Sequence, residues 1–347
     1  MDIYELETPS VLIDLDRMER NIQRMQDLCD EAGVGLRPHI KTHKIPEIAK
    51  MQIEAGAVGI ACQKVSEAEV FAQAGLNDIL IPYNILGASK TARFADLALY
   101  NRMTTSADSL TVVAGLADAA AALDIRLRVL VELATELERT GAQVDQALEV
   151  GEAIENNPHL HFAGIQLYPS YPSIRPALQE LIQRLDAAGI GVDTVSGGGT
   201  GAVLRAKEVP ELTEVRVGTY VFNDWGTASQ GWCRLEDCAM TVRVTVVSRP
   251  SEGRAILDSG SKTLSSDTFD GGYGHIVEYP AARIYKLNEE HAYVDVSNCD
   301  PAPEVGEVVS VIPVHTCVVT NLHNALYGVR GEEVELSWTV AARGLVW

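Results

Sequence analysis

Four stretches of the chain carry residue types whose spacing could do chemistry. The first is Arg37-Pro38-His39-Ile40-Lys41-Thr42-His43-Lys44, which sets two imidazoles and two amines side by side just after an apolar run. A lysine that condenses with a carbonyl must shed its proton near neutral pH, and neighbouring cations with partial burial lower its pKa to that end. Lys41 is the candidate; a solvated basic turn is the plain alternative. The second is Ser196-Gly197-Gly198-Gly199-Thr200-Gly201. Successive glycines let backbone N–H groups converge on an anion, and flanking hydroxyls add donors. With Ala202 the run also fits a dinucleotide fingerprint, but that reading needs a βαβ unit and an acidic residue about 20 positions on. A phosphate cradle is expected ahead of it, with a flexible turn as the other alternative.

The third is Pro313-Val314-His315-Thr316-Cys317, followed by Asn321-Leu322-His323. On a strand, residues i and i+2 share a face, so His315 and Cys317 would point the same way. Imidazole and thiolate suit a zinc-like ion, with water or substrate completing an open set of ligands. A buried His and Cys without a metal is the competing reading. The fourth comprises Asp258-Ser259-Gly260-Ser261-Lys262, Ser265-Ser266-Asp267, His275 and Glu289-Glu290-His291, expected to be loops. Cys233 and Cys238 lack a matching second pair for a zinc knuckle, and the four tryptophans have no basic residues interleaved, so packing is expected of them.

These stretches need elements to position them. Up to about residue 225, short apolar runs alternate with amphipathic segments. The expected strands are Val11–Leu15, Leu36–Ile40, Gly59–Gln63, Ile79–Tyr83, Met103–Ala107, Leu127–Glu132, Phe162–Tyr168 and Thr194–Ser196, with Glu214–Phe222 as a ninth extended segment. Between the first two, Met18, Ile22, Met25 and Leu28–Cys29 recur at helical spacing. Eight β-then-α units predict an α/β fold, a (β/α)8 TIM barrel, whose chemistry gathers at the C-terminal ends of its strands. Lys41 and the glycine run both fall at such ends. From Met240 onward, β-branched and alternating runs separated by Gly, Pro and Asn predict a C-terminal antiparallel β-domain. The expected domains are residues 8–238 and residues 239–347 together with 1–7.

Composition bounds the function classes. The 347 residues are 46% hydrophobic with a formal net charge of −20, so nucleic acid and anionic membrane are poor partners. The N-terminus lacks a basic and apolar signal region, and no apolar run reaches the length of a membrane span. A cytoplasmic location with six free thiols is therefore expected.

Taken together, Thr8-Pro9-Ser10, RPHIKTHK, Gln63-Lys64-Val65-Ser66-Glu67-Ala68, SGGGT, Gly218-Thr219-Tyr220, and HTC…NLH followed by Ala342-Arg343-Gly344 resemble the D-threonine aldolase and D-serine dehydratase family of fold-type III pyridoxal phosphate (PLP) enzymes. The resemblance spans nearly the whole chain. It implies PLP carried on Lys41, with His39 and Tyr168 at the cofactor. It implies phosphate held by Ser196, Gly198, Gly199 and Thr200 near Tyr220, and Arg139 facing the pyridine nitrogen. It implies a divalent ion, Zn2+ or Mn2+, on His315 and Cys317, and a homodimer. The activity implied is that of a lyase on small β-hydroxy-D-amino acids. Retro-aldol cleavage of D-threonine-like substrates to glycine and an aldehyde is placed ahead of dehydration of D-serine or D-3-hydroxyaspartate.

The chain departs from the family at two places. Several relatives carry a histidine after the strand ending at Tyr168, where this chain reads Pro169-Ser170-Tyr171, so Tyr171 becomes the candidate base. The segment Glu132-Leu133-Ala134-Thr135-Glu136-Leu137 lacks the Asp-x-Gly expected before Arg139. Two other classes compete: an amino-acid racemase, which needs a second base and no metal, and a non-enzymatic PLP carrier, which resembles a lone barrel.

Overall fold

A computed structural model describes residues 1–347. In chain order its first nine strands are β1 (Ser10–Asp14), β2 (Gly35–Pro38), β3 (Ile60–Ala61), β4 (Asp78–Asn84), β5 (Arg102–Ala107), β6 (Leu127–Glu132), β7 (Leu160–Gln166), β8 (Val195–Gly198) and β9 (Glu214–Val217). Eight of them, β2 to β9, form one parallel sheet in the order β2-β9-β8-β7-β6-β5-β4-β3. Its end strands meet through a parallel bridge between His39 and Ala61, which brings the sheet round to a barrel. Helices follow the strands in alternation, as the eight-fold repeat predicted.

The barrel is not composed as the sequence suggested. β1 was expected to open it, yet β1 pairs antiparallel with Met240–Arg243 and parallel with Tyr327–Val329 in the other sheet. The extended segment at 214 takes its place: Glu214–Val217 lies between β8 and β2, and the chain then turns into a short 3-10 helix, Thr219–Val221. The reason is local ambiguity. Ser10 to Ile13 are all buried, so both faces of β1 are covered, and a strand apolar on both faces fits the interior of any sheet.

Inward-facing residues of the barrel fall into layers. Leu80, Leu130 and Ala163 form an apolar middle layer. Below it, at the N-terminal ends of the strands, the lumen is charged. Arg37 Nε donates to both carboxylate oxygens of Glu214 (3.0 and 2.9 Å) and Arg37 Nη1 to Asp78 Oδ1 (2.7 Å). Outside the sheet, helix Leu15–Ala32 buries Met18, Ile22, Met25 and Cys29 along one stripe.

The remaining strands are β10 (Met240–Ser251), β11 (Arg254–Leu257), β12 (Gly274–Ile276), β13 (Arg283–Leu287), β14 (Ala292–Asp295), β15 (Val308–Pro313), β16 (Ala325–Arg330) and β17 (Glu333–Thr339). With β1 they form a sheet ordered β13-β14-β11-β10-β1-β16-β17, and β15 pairs with both β10 and β12. Every pairing is antiparallel except that of β1 with β16, so the expected antiparallel domain is in fact mixed.

The chain divides into two compact units. One holds residues 24–41, 46–218 and 345–347, and so the barrel sheet. The other holds residues 1–23, 42–45 and 219–344, and so the mixed sheet.

Candidate functional site

Within the barrel unit a narrow cleft opens among His39, Lys41, Gln63, Pro82, Arg139, Gln166, Tyr168 and Arg216. These residues follow or end β2, β3, β4, β6, β7 and β9, at the C-terminal face where barrels gather their chemistry. The structure sorts the basic cluster of the sequence into distinct tasks. Arg37 is spent on Glu214 and Asp78. The Nδ1 of His39 accepts from the Lys41 amide (3.4 Å), and its Nε2 meets Gln63 Oε1 at 3.0 Å. A backbone N–H only donates, so Nε2 carries the proton and the imidazole is neutral. His43 is fully buried and accepts from the Ile45 amide. Lys44 Nζ donates to Asn321 Oδ1 at 2.9 Å. Lys41, on a single 3-10 turn, is the amine of this segment that lines the cleft with no ion pair.

Two cleft residues were not foreseen from the sequence. Arg216 is buried, and its guanidinium donates to the carbonyls of Ser196 (2.8 Å) and Leu167 (3.1 Å) and to Ser196 Oγ. Burial pulls its pKa down to about 10 against the pull of Glu214 and Glu132, so it keeps its charge at neutral pH. Its signal was a cation alternating with valines in a strand that is buried throughout. Gln166 presents a buried Oε1 that has no hydrogen-bond partner. Buried polar atoms are otherwise almost always paired, so an orphan facing a cleft marks a ligand's place.

The glycine turn follows β8. A Cβ on Gly197 would come within 2.7 Å of Ser170 Oγ, and one on Gly198 within 3.0 Å of the Arg216 carbonyl and 3.1 Å of the Tyr168 ring. Gly199 has φ +106°, which favours glycine. The Gly198 and Gly199 amides are already engaged, by Ser170 Oγ (3.1 Å) and the Arg216 carbonyl (3.2 Å). The amides left to meet an anion open the short helix Thr200–Val203. Ser196 itself is buried, donating its hydroxyl to Glu214 Oε1 (2.6 Å); it supports the floor of the cleft.

The other expected residues lie as follows. Arg139 places its guanidinium 5.0 Å from the Tyr168 ring centre, and Thr135 Oγ1 donates to the Tyr168 carbonyl at 2.7 Å. Tyr171 stands outside the cleft lining, at the N-cap of the 3-10 turn Pro172–Ile174, within electrostatic reach of Arg205. Tyr220 is buried on the turn Thr219–Val221 of the other unit.

That unit carries the His315–Cys317 pair. The two do not lie on a strand, as the alternation of the sequence suggested. β15 ends at Pro313, His315 is the N-cap of helix Thr316–Leu322, and Cys317 lies in its first turn. The cap brings them together all the same. The Cys317 side chain, hydrogen-bonded to the imidazole, is the main cause that raises His315 to about 9, with Asp267 adding to it against burial. Asp267 Oδ2 lies 2.6 Å from His315 Nδ1, and Thr42 Oγ1 lies 3.2 Å from Cys317 Sγ. Asp224 Oδ2 accepts from the Thr316 amide and pins the turn between the two residues. Imidazole and thiol with a carboxylate behind the imidazole are a donor set that suits a borderline cation. No group of three or more His, Cys, Asp or Glu that could hold a metal ion converges here or elsewhere.

Residues 13–224 match the family model described as alanine racemase, N-terminal domain, and residues 239–329 that of a putative serine dehydratase domain. A D-threonine aldolase from Arthrobacter sp is 34% identical, spanning 99% of this chain and 94% of that protein. A D-threo-3-hydroxyaspartate dehydratase from Delftia sp. (strain HT23) is 33% identical over 91% of this chain and 92% of its own. Among solved structures, a D-threonine aldolase from Filomicrobium marinum matches with TM-score 0.90 at 33% identity, covering 99% of this chain and 97% of that one. With matches of this length at both ends, the chain belongs to the D-threonine aldolase and D-serine dehydratase family, in which an alanine racemase-type barrel is joined to a serine dehydratase-type domain.

Proposed function

We propose that the protein is a PLP- and divalent-metal-dependent lyase that cleaves β-hydroxy-D-amino acids, foremost D-threonine-like substrates, to glycine and an aldehyde. The observation that carries this reading is Lys41, an unpaired amine on a cleft whose buried Gln166 oxygen has no partner. Relatives that are aldolases and dehydratases of such amino acids support it. PLP, when bound, supplies an electron sink for negative charge at the substrate Cα. The residues present fit it: Lys41 to carry it, neutral His39 and Tyr168 beside its ring, Arg139 and Arg216 as cations, and the glycine turn through Thr200 for its phosphate. A Zn2+ or Mn2+ ion on His315 and Cys317 would supply Lewis acidity toward a hydroxyl.

The chain's own groups have separable tasks. Lys41 would hold the cofactor and, once freed from it, would be placed to deliver a proton to the substrate Cα. Gln63 fixes the His39 ring by accepting from Nε2, while the Lys41 amide, donating to Nδ1, keeps a second proton off it. Arg139 over Tyr168 closes one side of the cleft and gives a substrate carboxylate a counter-charge.

The test incubates purified protein with PLP, Mn2+ or Zn2+ and a panel of β-hydroxy-D-amino acids, measuring glycine, aldehyde, keto acid and ammonia separately. Glycine and aldehyde, lost on chelation and with Lys41→Ala, are expected. No product from any substrate would sink the proposal. Dehydration is the second reading, since a dehydratase of D-threo-3-hydroxyaspartate is among the relatives; keto acid with ammonia would select it. No helix is long and apolar enough to cross a membrane. We propose a homodimer, which light scattering of the purified protein tests, and a cytoplasmic location, which cell fractionation tests.

A further inference from the structure

Beneath the apolar layer of Leu80, Leu130 and Ala163, the N-terminal end of the barrel holds a second cavity, of about 80 Å³ and open on one side. Arg37, Asp78, Arg102, Arg128 and Glu214 supply its charged lining, from the first residues of β4, β5 and β9, the second of β6 and the third of β2. Barrel lumens are usually filled there with branched apolar side chains. This one is charged, and its charges do not balance.

Three guanidiniums face two carboxylates. Both oxygens of Glu214 receive Arg37 Nε, and one of them also takes the Ser196 hydroxyl. Asp78 gives one oxygen to Arg37 at 2.7 Å and lies only at 3.6 Å from Arg102 with the other. Arg37 is thus satisfied from two sides, while Arg128 has no carboxylate partner and its buried Nε no acceptor at all. Burial, then Arg102 and Arg37, push the Arg128 guanidinium pKa down against Asp78 and Asp193, and burial with Arg128 and Arg126 does the same to His161 against Glu155 and Asp193. In a chain with a net charge of −20, this is a local excess of positive charge held inside a barrel.

We propose that this cavity is a binding site for a small oxyanion, with the fork of Arg128 as its main ligand and Arg102 as its second. A guanidinium presents parallel N–H donors that match two oxygens of a phosphate or a carboxylate, and an anion there supplies both the acceptor Arg128 Nε lacks and the missing charge. Arg102, with its side chain 62% exposed, marks the open side through which a small ion enters. The site is separate from the cleft of Lys41, which opens at the opposite ends of the same strands, and it does not depend on what that cleft binds.

The experiment follows thermal unfolding of the protein, as purified and in phosphate-free buffer, while inorganic phosphate or malonate replaces chloride at constant ionic strength. A saturable rise of a few degrees is expected at millimolar anion, since a ligand bound to the native state alone raises stability by mass action. Phosphate and malonate in parallel tell which oxyanion geometry is preferred. Arg128→Met should weaken the response about tenfold or more, and Arg102→Gln, a change at an exposed side chain, should weaken it less. Calorimetric titration of phosphate at 25 °C checks the same order should the Arg128 variant unfold early. A rise that does not saturate, or one of equal midpoint in wild type and both variants, would overturn the proposal. The response would then belong to general salt effects or to the glycine turn.

Discussion

Replacing Arg37 with methionine removes the partner of two carboxylates at once. Its side chain is 10% exposed, as is that of Glu214, and three contacts of 2.7 to 3.0 Å tie it to Glu214 and Asp78. Asp78, 27% exposed, can turn to water. Glu214 is left with the Ser196 hydroxyl as its close donor and with the buried Arg216 charge acting only from beyond hydrogen-bond reach, so the cost falls at the lower end of the range for a broken buried pair. Breaking a buried pair from one side costs about 3–5 kcal/mol, because a buried charge stays uncompensated. At about 2–4 °C per kcal/mol for a unit of this size, Arg37→Met should lower the melting temperature by roughly 10 °C. The cost arises from the stranded carboxylate, so Glu214→Gln in the same chain should recover at least about 1 kcal/mol of it. Urea unfolding followed by circular dichroism measures Arg37→Met, Glu214→Gln alone and the double variant, with unchanged m-values as the condition for comparison. A single-variant cost under about 1 kcal/mol, or two effects that simply add, would refute the claim that this pair is a tightly coupled buried network.

Other expectations follow from the same geometry. Either His315→Ala or Cys317→Ala should lower metal affinity by more than the about 10–100-fold that loss of an outer partner costs. Metal content after dialysis reads this directly, and content equal to wild type would remove the pair from the metal. Gly198→Ala puts a Cβ 3.0 Å from the Arg216 carbonyl and should raise the PLP dissociation constant at least about tenfold, seen by absorbance titration; an unchanged constant would separate the turn from the cofactor. Burial raises the Glu132 carboxyl above its ordinary 4.5. The folded state then bears an ionisation cost at neutral pH that disappears as pH falls below the unfolded value. Glu132→Gln should therefore stabilise most at pH 7–8, and progressively less as pH falls through the window between the raised value and 4.5. A difference that does not vary with pH would contradict this. Tyr171 stands outside the cleft lining, so Tyr171→Phe is expected to keep kcat within about threefold. A loss of about 100-fold or more would restore it as the base.

Much of the fold could be read from periodicity. Seven of the barrel's strands lie where apolar runs of strand length alternate with helical stripes, because burial on both faces leaves that imprint. The same imprint misled at β1, whose partners at Met240–Arg243 and Tyr327–Val329 lie at the far end of the chain. No local pattern encodes which sheet an entirely buried strand joins. Hence the eighth barrel strand had to come from Glu214–Val217, short and charged, which looked marginal as a strand.

The sequence alone determined which residue types were available for chemistry and roughly where: an amine and imidazoles after one strand, glycines after another, and a His-x-Cys near the end. It also determined the two textures, α/β then β, since each repeats a local spacing. Only the tertiary structure decided which of those groups are free. Lys44 is bound to Asn321, Arg37 to two acids and Ser196 to Glu214, while Lys41 lines the cleft with no ion pair. It alone brought Arg216 and Gln166 to the same cleft and set Asp267 behind His315. A side chain's partners come from strands and loops far apart in sequence, and pairing, more than residue type, determines whether a charge is structural or reactive.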